Sequence, residues 1–262
     1  SHLTAFTVKN RGQFEWITSP MGLLGCPASF QRLMERVMDG IKNVLIYIDD
    51  VIIHTQDHDL HLQVLEQTLQ RIQHHGLKIN LDKCYFGNKE VAYLGFTLTP
   101  NGILPGKDKI KALADFEPPQ NLKEVRAFVG LCNFFRNHIK DFAMISTPLT
   151  KLTCKDSGYT GGPLPEDATR SFHLLKNLLT SEPCLAFPRE DRSYALVTEA
   201  YMPNGPAKGG IGAALCQFDD QGQCYVLSYS SRQLLTHETN YPPDLTELLA
   251  ACEAMEHFDQ VL

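Results

Sequence analysis

The chain has 262 residues, 43% of them hydrophobic, and its 24 Lys and Arg against 30 Asp and Glu leave a formal net charge of −6. No apolar run approaches the roughly eighteen residues of a membrane span, and no charged-then-apolar leader opens the chain, so we expect neither membrane insertion nor secretion. The negative charge argues against a uniformly basic, DNA-coating surface, so any nucleic-acid contact would use local basic faces.

Cysteine usage indicates the compartment. The eight cysteines are spread along the chain, without a CxxC pair or a His/Cys cluster at zinc spacing. We therefore expect free thiols in a reducing, intracellular compartment rather than a disulfide framework.

The chain begins with a helix, a strand pair and a second helix. Apolar residues at helical spacing predict a helix over 28–42. The run 44–53, VLIYIDDVII, is short and rich in Val and Ile, which predicts two buried strands reversing at Asp49–Asp50. A further helix is predicted over 58–75, stopped by Gly76. The residues expected to face inward are Phe30, Leu33, Met34, Val37, Met38 and Ile41 in the first helix, and Leu62, Leu65, Leu69 and Ile72 in the second.

A second strand pair and a capped helix follow. EVAYLGFTLTPNGI predicts two strands reversing around Asn101-Gly102, a dipeptide that tolerates the positive φ of tight turns. After the break at EPPQ, Asn121 is the predicted cap of a helix with Glu124 at its third position. The buried stripe is expected to be Val125, Phe128, Val129, Cys132 and Phe135.

The second half opens with a Gly- and Pro-rich segment. Residues 153–168 predict a flexible link, and a short helix is expected around 169–180. SYALVTEA, GGIGAALCQF and QCYVLSYSSR predict three consecutive strands, followed by a helix over about 244–258. This order indicates a second α/β unit.

Two adjacent carboxylates interrupt the apolar run at 44–53. Ionised groups buried without partners are costly, and a divalent metal would remove that cost. The hard oxygen atoms of Asp49 and Asp50 suit Mg²⁺, which is commonly shared with substrate phosphates. On spacing alone, a solvent-exposed hairpin tip without a metal is an equal alternative.

Longer segments provide context for the YIDD sequence. It is preceded by SPMGLLGCPASFQRLM and followed by GLKINLDKCYF and YLGFTLTPNGI. In order and spacing these segments resemble the palm of reverse transcriptases, in particular the pol polyprotein of gypsy-type LTR retrotransposons. LKEVRAFVGLCNFFRNHIKDFAMISTPLTKL resembles the thumb, and NYPPDLTELLAACEAMEHF resembles the start of the tethered RNase H domain. Practically the whole chain is covered.

The resemblance implies a fold and an activity. The fold would be α+β, with the palm and thumb of a partial right-hand polymerase, a connection and a truncated RNase H-like α/β domain. The activity would be primer extension with deoxynucleoside triphosphates on an RNA or DNA template, using two Mg²⁺ ions, with Mn²⁺ as the alternative. The implied domains are 1–105 (partial fingers and palm), 106–152 (thumb-like helical segment), 153–190 (connection) and 191–262 (RNase H-like domain).

The resemblance also implies roles for single residues around the polymerase site. Asp49 and Asp50 match the paired catalytic, metal-binding aspartates. The positions matching the surroundings of the nucleotide and primer end are Tyr47, Ile48, Gly22 and Lys83, the last as a donor to the leaving pyrophosphate. Each has a structural alternative. Tyr47 and Ile48 would be core residues of a strand, Gly22 an ordinary turn glycine and Lys83 an exposed lysine without such a role. Leu24 and Gly25 depart from the family, which often has Lys and Asn there.

Nucleic-acid contacts are implied elsewhere. Gly95 resembles the primer grip, where close backbone passage positions the duplex. The thumb-like helix supplies four expected phosphate contacts, and the segment before it supplies three more, with a solvated surface as the alternative. The four are Lys123, Arg126, Arg136 and Lys140, and the three are Lys107, Lys109 and Lys111.

In the RNase H-like part, Glu247 matches a helix-borne catalytic and metal-binding glutamate. Where the family reads Thr-Asp-Ala-Ser, this chain has Glu199 in place of the aspartate. The metal-binding side chain is therefore one methylene longer, and Mg²⁺ demands near-ideal octahedral geometry, so we expect impaired ribonuclease activity. The insertion-like YMPNGPAKG that follows indicates the same.

Two family aspartates are expected to fall outside the chain. SHLTAFTVKNRGQFEW resembles the segment just after the first palm aspartate, and HFDQVL precedes the next RNase H aspartate. Because a two-metal site needs all its carboxylates, we expect residues 1–262 alone neither to polymerise nor to cleave. The implied partners are a template–primer duplex, nucleotides and the remainder of a pol polyprotein, with no membrane, in a cytoplasmic particle or the nucleus.

Two functional classes remain open. The first is a fragment of an active retrotransposon polymerase, which Asp49, Asp50 and Glu247 favour. The second is a degenerate or host-adopted remnant that acts as a non-catalytic binding or structural module, which Glu199 favours. A cellular polymerase such as a telomerase is a third class, against which the RNase H-like tail argues.

Overall fold

Helices and small antiparallel sheets are mixed along the chain, which confirms the predicted α+β class. The computed structural model describes residues 4–20, 22–202 and 209–262. The insertion-like segment after Tyr201 falls largely in 203–208, outside the described residues. The chain divides into two compact units, Ser1–Phe86 and Gly87–Leu262. Within the described ranges, none of the helices combines the length and apolar character that a bilayer crossing requires.

The described residues of the first unit form two α-helices and two hairpins. The predicted second helix is confirmed, since the carboxylate of Asp57 accepts a hydrogen bond from the Leu60 N–H at 2.8 Å at its start, and Gly76 follows its end with φ +68°. The elements are β1 (Phe6–Val8), β2 (Gly12–Phe14), α1 (Cys26–Met38), β3 (Val44–Tyr47), β4 (Asp50–Ile53) and α2 (His58–His74).

The core of the first unit lies between α1 and the β3–β4 hairpin. Met34, Val37 and Met38 are buried, as predicted. The predicted stripes are wrong at Leu33, which is 41% exposed, and in α2. The buried residues of α2 are Val64 and Thr68, whereas Leu62 and Leu69 are 50% and 38% exposed. In α2 the buried stripe follows positions four residues apart, Val64 and Thr68, so the predicted leucines lie at the edges of that stripe.

The hairpin that carries the paired aspartates reverses one residue earlier than predicted. Tyr47 pairs with Asp50, so the loop is Ile48–Asp49 rather than Asp49–Asp50. The prediction that both strands are buried is also wrong, because Leu45 and Tyr47 are each 53% exposed. Helix α1 covers only one face of the hairpin, the face formed by Val44, Ile46 and Val51.

In the second unit, the residues that the structure describes form a three-stranded sheet, four α-helices, and a second sheet with a fifth α-helix. The last three strands are antiparallel in the order β10-β9-β8, and they and the final helix confirm the predicted α/β unit. The elements are β5 (Val91–Tyr93), β6 (Phe96–Thr99), β7 (Gly102–Pro105), α3 (Lys107–Ala114), α4 (Leu122–Phe134), α5 (Phe142–Leu152), α6 (Glu166–Thr180), β8 (Tyr194–Tyr201), β9 (Gly210–Phe218), β10 (Cys224–Gln233) and α7 (Pro243–His257).

The β5–β7 sheet has three strands where two were predicted. Its first turn is Leu94–Gly95, with φ of +50° and +84°, which is the pair of positive values that a type I′ hairpin turn demands. The second turn is Pro100–Asn101, so the predicted reversal around Asn101-Gly102 is also shifted by one residue. At the sheet edge, Ile103 and Leu185 exchange backbone hydrogen bonds of 2.7 and 3.0 Å.

Helices α3 to α6 enclose the largest core. The predicted cap of α4 is confirmed, because Asn121 accepts from the Glu124 N–H at 3.0 Å and Glu124 accepts from the Gln120 N–H at 2.7 Å. Helix α6 begins at Glu166, three residues earlier than predicted, so the predicted flexible link is shorter. One face of α6 is buried in this core. The buried residues of this core include Val125, Phe128, Cys132 and Phe135, as predicted, and also Phe172, Leu175 and Leu179.

Candidate functional site

The tip of the β3–β4 hairpin holds Asp49 and Asp50 in an unusual backbone. Ile48 has φ +56°, which a β-branched residue rarely adopts and which costs free energy. Asp50 lies directly opposite Tyr47 in the ladder, so their side chains share the hairpin face that α1 does not cover. Strain of this kind persists only where the surroundings enforce it.

The side chain of Gln31, on α1, is one such enforcing contact. Its Oε1 accepts a hydrogen bond from the Ile48 N–H at 2.6 Å. Its Nε2 donates to the Ile46 carbonyl at 3.3 Å and to Glu35 at 3.0 Å. The sequence analysis did not predict a role for Gln31. Its position three residues before Met34 places a polar side chain beside the buried stripe of α1, and this could have indicated such a role.

Asp49 and Asp50 are both exposed. The prediction that these carboxylates are buried, and need a metal to neutralise them for that reason, is therefore wrong. Neither forms an ion pair in the part of the chain that the structure describes. Two free adjacent carboxylates suit the donor preference of Mg²⁺ and would supply part of its coordination. The described residues contain no group of three or more His, Cys, Asp or Glu side chains arranged to hold a metal.

The other predicted nucleotide contacts lie on separate elements of the first unit. Gly22 has φ +89°, and a Cβ there would meet no described atom within 4 Å, so backbone conformation favours glycine at this position. Lys83 is exposed and ends a short 3₁₀ turn, Leu81–Lys83, that Asn80 caps. Their roles beside a nucleotide stay predictions.

Gly95, the predicted primer-grip residue, sits in a crowded turn of the second unit. Its carbonyl accepts from the Gly106 N–H at 3.1 Å. A Cβ at Gly95 would lie 3.0 Å from Lys109 Nζ and 3.0 Å from Phe134 Cζ. Positive φ and close packing therefore both favour glycine here.

Three of the four predicted basic contacts of the thumb-like segment already have partners. Arg136 donates to the Ser231 carbonyl at 3.1 Å, and Arg126 to the Thr153 carbonyl at 3.4 Å. Lys140 Nζ lies 2.9 Å from the carboxylate of Glu199, whereas Lys123 is exposed. Phosphate binding by these residues stays a prediction.

The carboxylate of Glu199 faces the segment before α5. Its hydrogen bond raises the pKa of Lys140, and burial together with the nearby charge of Glu199 raises the pKa of Asp141. Glu247 is exposed on α7, and no hydrogen bond or ion pair between described residues joins it to Glu199. Glu199 is paired with a lysine ammonium, and metal binding by Glu199 and Glu247 stays a prediction.

Two family descriptions match separate parts of the chain. Residues 1–98 match the family "Reverse transcriptase (RNA-dependent DNA polymerase)". Residues 164–262 match "RNase H-like domain found in reverse transcriptase". The first match contains the aspartate hairpin and the Leu94–Gly95 turn, and the second contains Glu199 and Glu247.

Relatives along nearly the whole chain include two from Drosophila melanogaster. The chain is 35% identical to the retrovirus-related Pol polyprotein from transposon opus over 97% of its length, and 34% identical to that from transposon 297 over 99%. It spans 26% and 23% of these relatives. A foamy viral protease-reverse transcriptase in complex with RNA/DNA hybrid has a similar fold, with a TM-score of 0.82 at 24% identity over 97% of this chain and 33% of that one.

Proposed function

The chain contains part of a reverse transcriptase domain followed by an RNase H-like domain, as found in the Pol polyproteins of transposons, and we propose that it serves template-directed DNA synthesis within such a polyprotein. The observation that carries the proposal is the aspartate hairpin. Asp49 and Asp50 have no ion-pair partner in the described part of the chain. The backbone before them is strained at Ile48 and hydrogen-bonded to Gln31 of α1. Strained backbone is concentrated at functional sites.

In the proposed reaction, Asp49 and Asp50 hold Mg²⁺, or Mn²⁺ in its place. The bound metal would neutralise charge developing on a transferred phosphoryl group. Gln31 acts as a positioning residue, because its hydrogen bond orients the backbone before Asp49. Tyr47 shares the open face with Asp50 and would lie beside the nucleotide or primer end.

The proposed partners are an RNA or DNA template–primer duplex, deoxynucleoside triphosphates and the rest of a Pol polyprotein. The bound RNA/DNA hybrid of the foamy viral protein and the double-stranded DNA of a second foamy viral structure support a duplex as ligand. Assignment to a gypsy-type element and an intracellular location, in a cytoplasmic particle or the nucleus, belong to the same proposal.

Metal binding at the hairpin tests the proposal directly. Mn²⁺ binding to the 262-residue chain is measured by water-proton relaxation in the wild type and in the Asp49→Asn/Asp50→Asn variant. We expect the variant to bind on the order of tenfold more weakly, because it lacks both charged ligands. The charge-matched control is Asp59→Asn/Asp82→Asn, two exposed aspartates elsewhere in the first unit. Equal Mn²⁺ affinity of the two variants would contradict the proposal.

Primer extension measures the activity of the isolated chain. Any extension that residues 1–262 give on an RNA template with Mg²⁺ should be lost in the Asp49→Asn variant, because the substitution removes one of the two proposed metal ligands. Extension that Asp49→Asn leaves unchanged would contradict the proposed role of the aspartate hairpin.

A structural role is the second candidate function, and it concerns the RNase H-like domain. The ion pair of Glu199 with Lys140 favours packing against the thumb-like segment over ribonuclease chemistry. We expect no cleavage of the RNA strand of an RNA/DNA hybrid in the presence of Mn²⁺. Cleavage that is lost in the Glu199→Gln variant would refute the structural role.

A further inference from the structure

The outer face of α7 carries a row of exposed apolar side chains. The opposite face of this helix packs against the β8–β10 sheet, where Thr246, Ala250 and Ala254 are buried. The outer residues follow one another three, four and three positions apart, and we call them the outer stripe: Leu245, Leu248, Cys252 and Met255. The leucines are 50% and 59% exposed and Met255 is 53% exposed, and Cys252 is exposed as well.

The spacing of the outer stripe is that of a coiled-coil seam. In such a seam, apolar side chains alternate three and four residues apart and insert between the side chains of a facing helix. A single exposed leucine is common on protein surfaces, whereas a continuous apolar stripe on one helix face indicates a contact surface. Met255 adds a flexible side chain that adapts to its neighbours. The outer stripe therefore fits the apolar face of another helix.

Acidic residues flank the outer stripe. In a coiled coil, the positions just beside the seam form ion pairs with the facing helix, and in α7 these positions include Asp244 and Glu256. Both are exposed, and neither forms an ion pair with another described residue. Helix α7 contains no Lys or Arg, and its one basic residue is His257. Negative charge therefore lies on both sides of the apolar stripe.

This charge decides between the occupants that an apolar stripe could take. A second copy of the chain would bring one acidic helix against another, and like charges beside a seam are repulsive. An anionic lipid surface would be repelled for the same reason. A helix with Lys or Arg beside its own apolar stripe is complementary in both shape and charge.

We propose that the outer stripe of α7 binds an amphipathic helix whose apolar face is flanked by lysine or arginine. The inference goes beyond the proposed function, because it concerns a surface that the aspartate hairpin and Glu199 do not use. The apolar side chains would supply the affinity. Asp244 and Glu256 would select a basic partner over an acidic one.

Peptide binding by the full 262-residue chain tests the inference. The probe is a fluorescent helical peptide with leucine at the seam positions and lysine beside them, and a second peptide has glutamate in place of each lysine. Fluorescence anisotropy measures both affinities. We expect the basic peptide to bind at least about tenfold more tightly than the acidic one, and added salt to reduce this difference.

Two variants, each with a matched control, locate the binding surface. Leu248→Ser should weaken binding of the basic peptide about tenfold, whereas Leu62→Ser, at a leucine of α2 that is 50% exposed, should leave it unchanged. Glu256→Lys should weaken binding about threefold, and Glu190→Lys, the same charge reversal at an exposed position before β8, should have a smaller effect. Thermal unfolding of every variant reports whether the fold is intact.

Several outcomes would overturn the inference. These are no binding of the basic peptide, equal binding by the wild type and Leu248→Ser, and equal affinity for the basic and acidic peptides. Self-association in analytical ultracentrifugation that Leu248→Ser abolishes would assign the outer stripe to a second copy of the chain instead. Binding to phosphatidylcholine vesicles that the same substitution abolishes would assign it to a lipid surface.

Discussion

Gln31 and Ile48 are joined by a 2.6 Å hydrogen bond between a helix side chain and the backbone of a strained hairpin tip. Through this contact, α1 restrains the residue that precedes the paired aspartates. We expect Gln31→Leu to lower the free energy of unfolding by about 1–2 kcal/mol, because the Ile48 N–H loses its acceptor. Urea unfolding measures this loss, and amide exchange at Ile48 should accelerate.

Gln70→Leu is the matched control for Gln31→Leu. Among the described residues, Gln70 has a single side-chain hydrogen bond, an exposed one with Glu66 one turn away on α2, at 3.1 Å. Its loss should change stability by less than about 0.5 kcal/mol. Equal effects of the two substitutions would show that Gln31 does not support the hairpin tip.

Glycine at position 48 should be tolerated better than at position 46. Ile48 has φ +56°, so Ile48→Gly relieves backbone strain while it removes side-chain contacts. We expect a net change within about 1 kcal/mol. Ile46 packs against the core in an ordinary strand, and Ile46→Gly should cost at least about 3 kcal/mol. Urea unfolding of both variants compares the two costs, and a larger loss for Ile48→Gly would contradict the strain assignment.

Gly95→Ala should destabilise the second unit by about 1–2 kcal/mol, because its φ is +84° and a Cβ would crowd Lys109 and Phe134. Gly130 provides the opposite case. It lies inside α4, where a Cβ would meet nothing within 4 Å, so Gly130→Ala should stabilise by about 0.5–1 kcal/mol. Thermal unfolding should give a lower melting temperature for Gly95→Ala and a higher one for Gly130→Ala. A higher melting temperature for Gly95→Ala would contradict the described turn.

His138 should make the second unit sensitive to acid. Its ring is 6% exposed and stacks on Phe96 at 5.5 Å, and burial lowers its pKa from 6.5 to about 4, an effect that the backbone of Ile103 partly opposes. Because the unfolded chain binds the proton more readily, stability is full above pH 6.5 and declines as the pH falls towards 4. The loss should not exceed about 3 kcal/mol.

His138→Leu tests the origin of this pH dependence. The variant cannot take up the proton, so its stability should vary less between pH 7 and pH 4 than that of the wild type. Denaturant unfolding at each pH provides the comparison. An identical decline in both proteins would assign the acid sensitivity to other groups.

Lys140→Met should raise the pKa of Asp141 further, because the lysine charge opposes the effects of burial and of Glu199. Carboxyl ¹³C NMR titration measures the shift. The exposed Lys140–Glu199 pair itself should add less than about 1 kcal/mol to stability. A lower Asp141 pKa in the variant would contradict the described arrangement.

Local patterns predicted the helices and most strands, because periodicity and caps such as Asn121 with Glu124 act over a few residues. They failed at the Leu94–Gly95 turn, since leucine at positive φ carries no recognisable turn signal. They also placed Asp49 and Asp50 in a buried context, because an apolar run does not reveal that α1 covers one face only. Pairing of Lys140 with Glu199 joins distant segments, which periodicity does not address.

The backbone pairing of Ile103 with Leu185 bears on how the molecule is made. The two residues are 82 positions apart (185 − 103), so during synthesis β7 lacks this neighbour until Leu185 has left the ribosome. Unpaired strand edges recruit other chains. Nascent or truncated polypeptides that stop short of Leu185 should therefore aggregate more readily than the 262-residue chain.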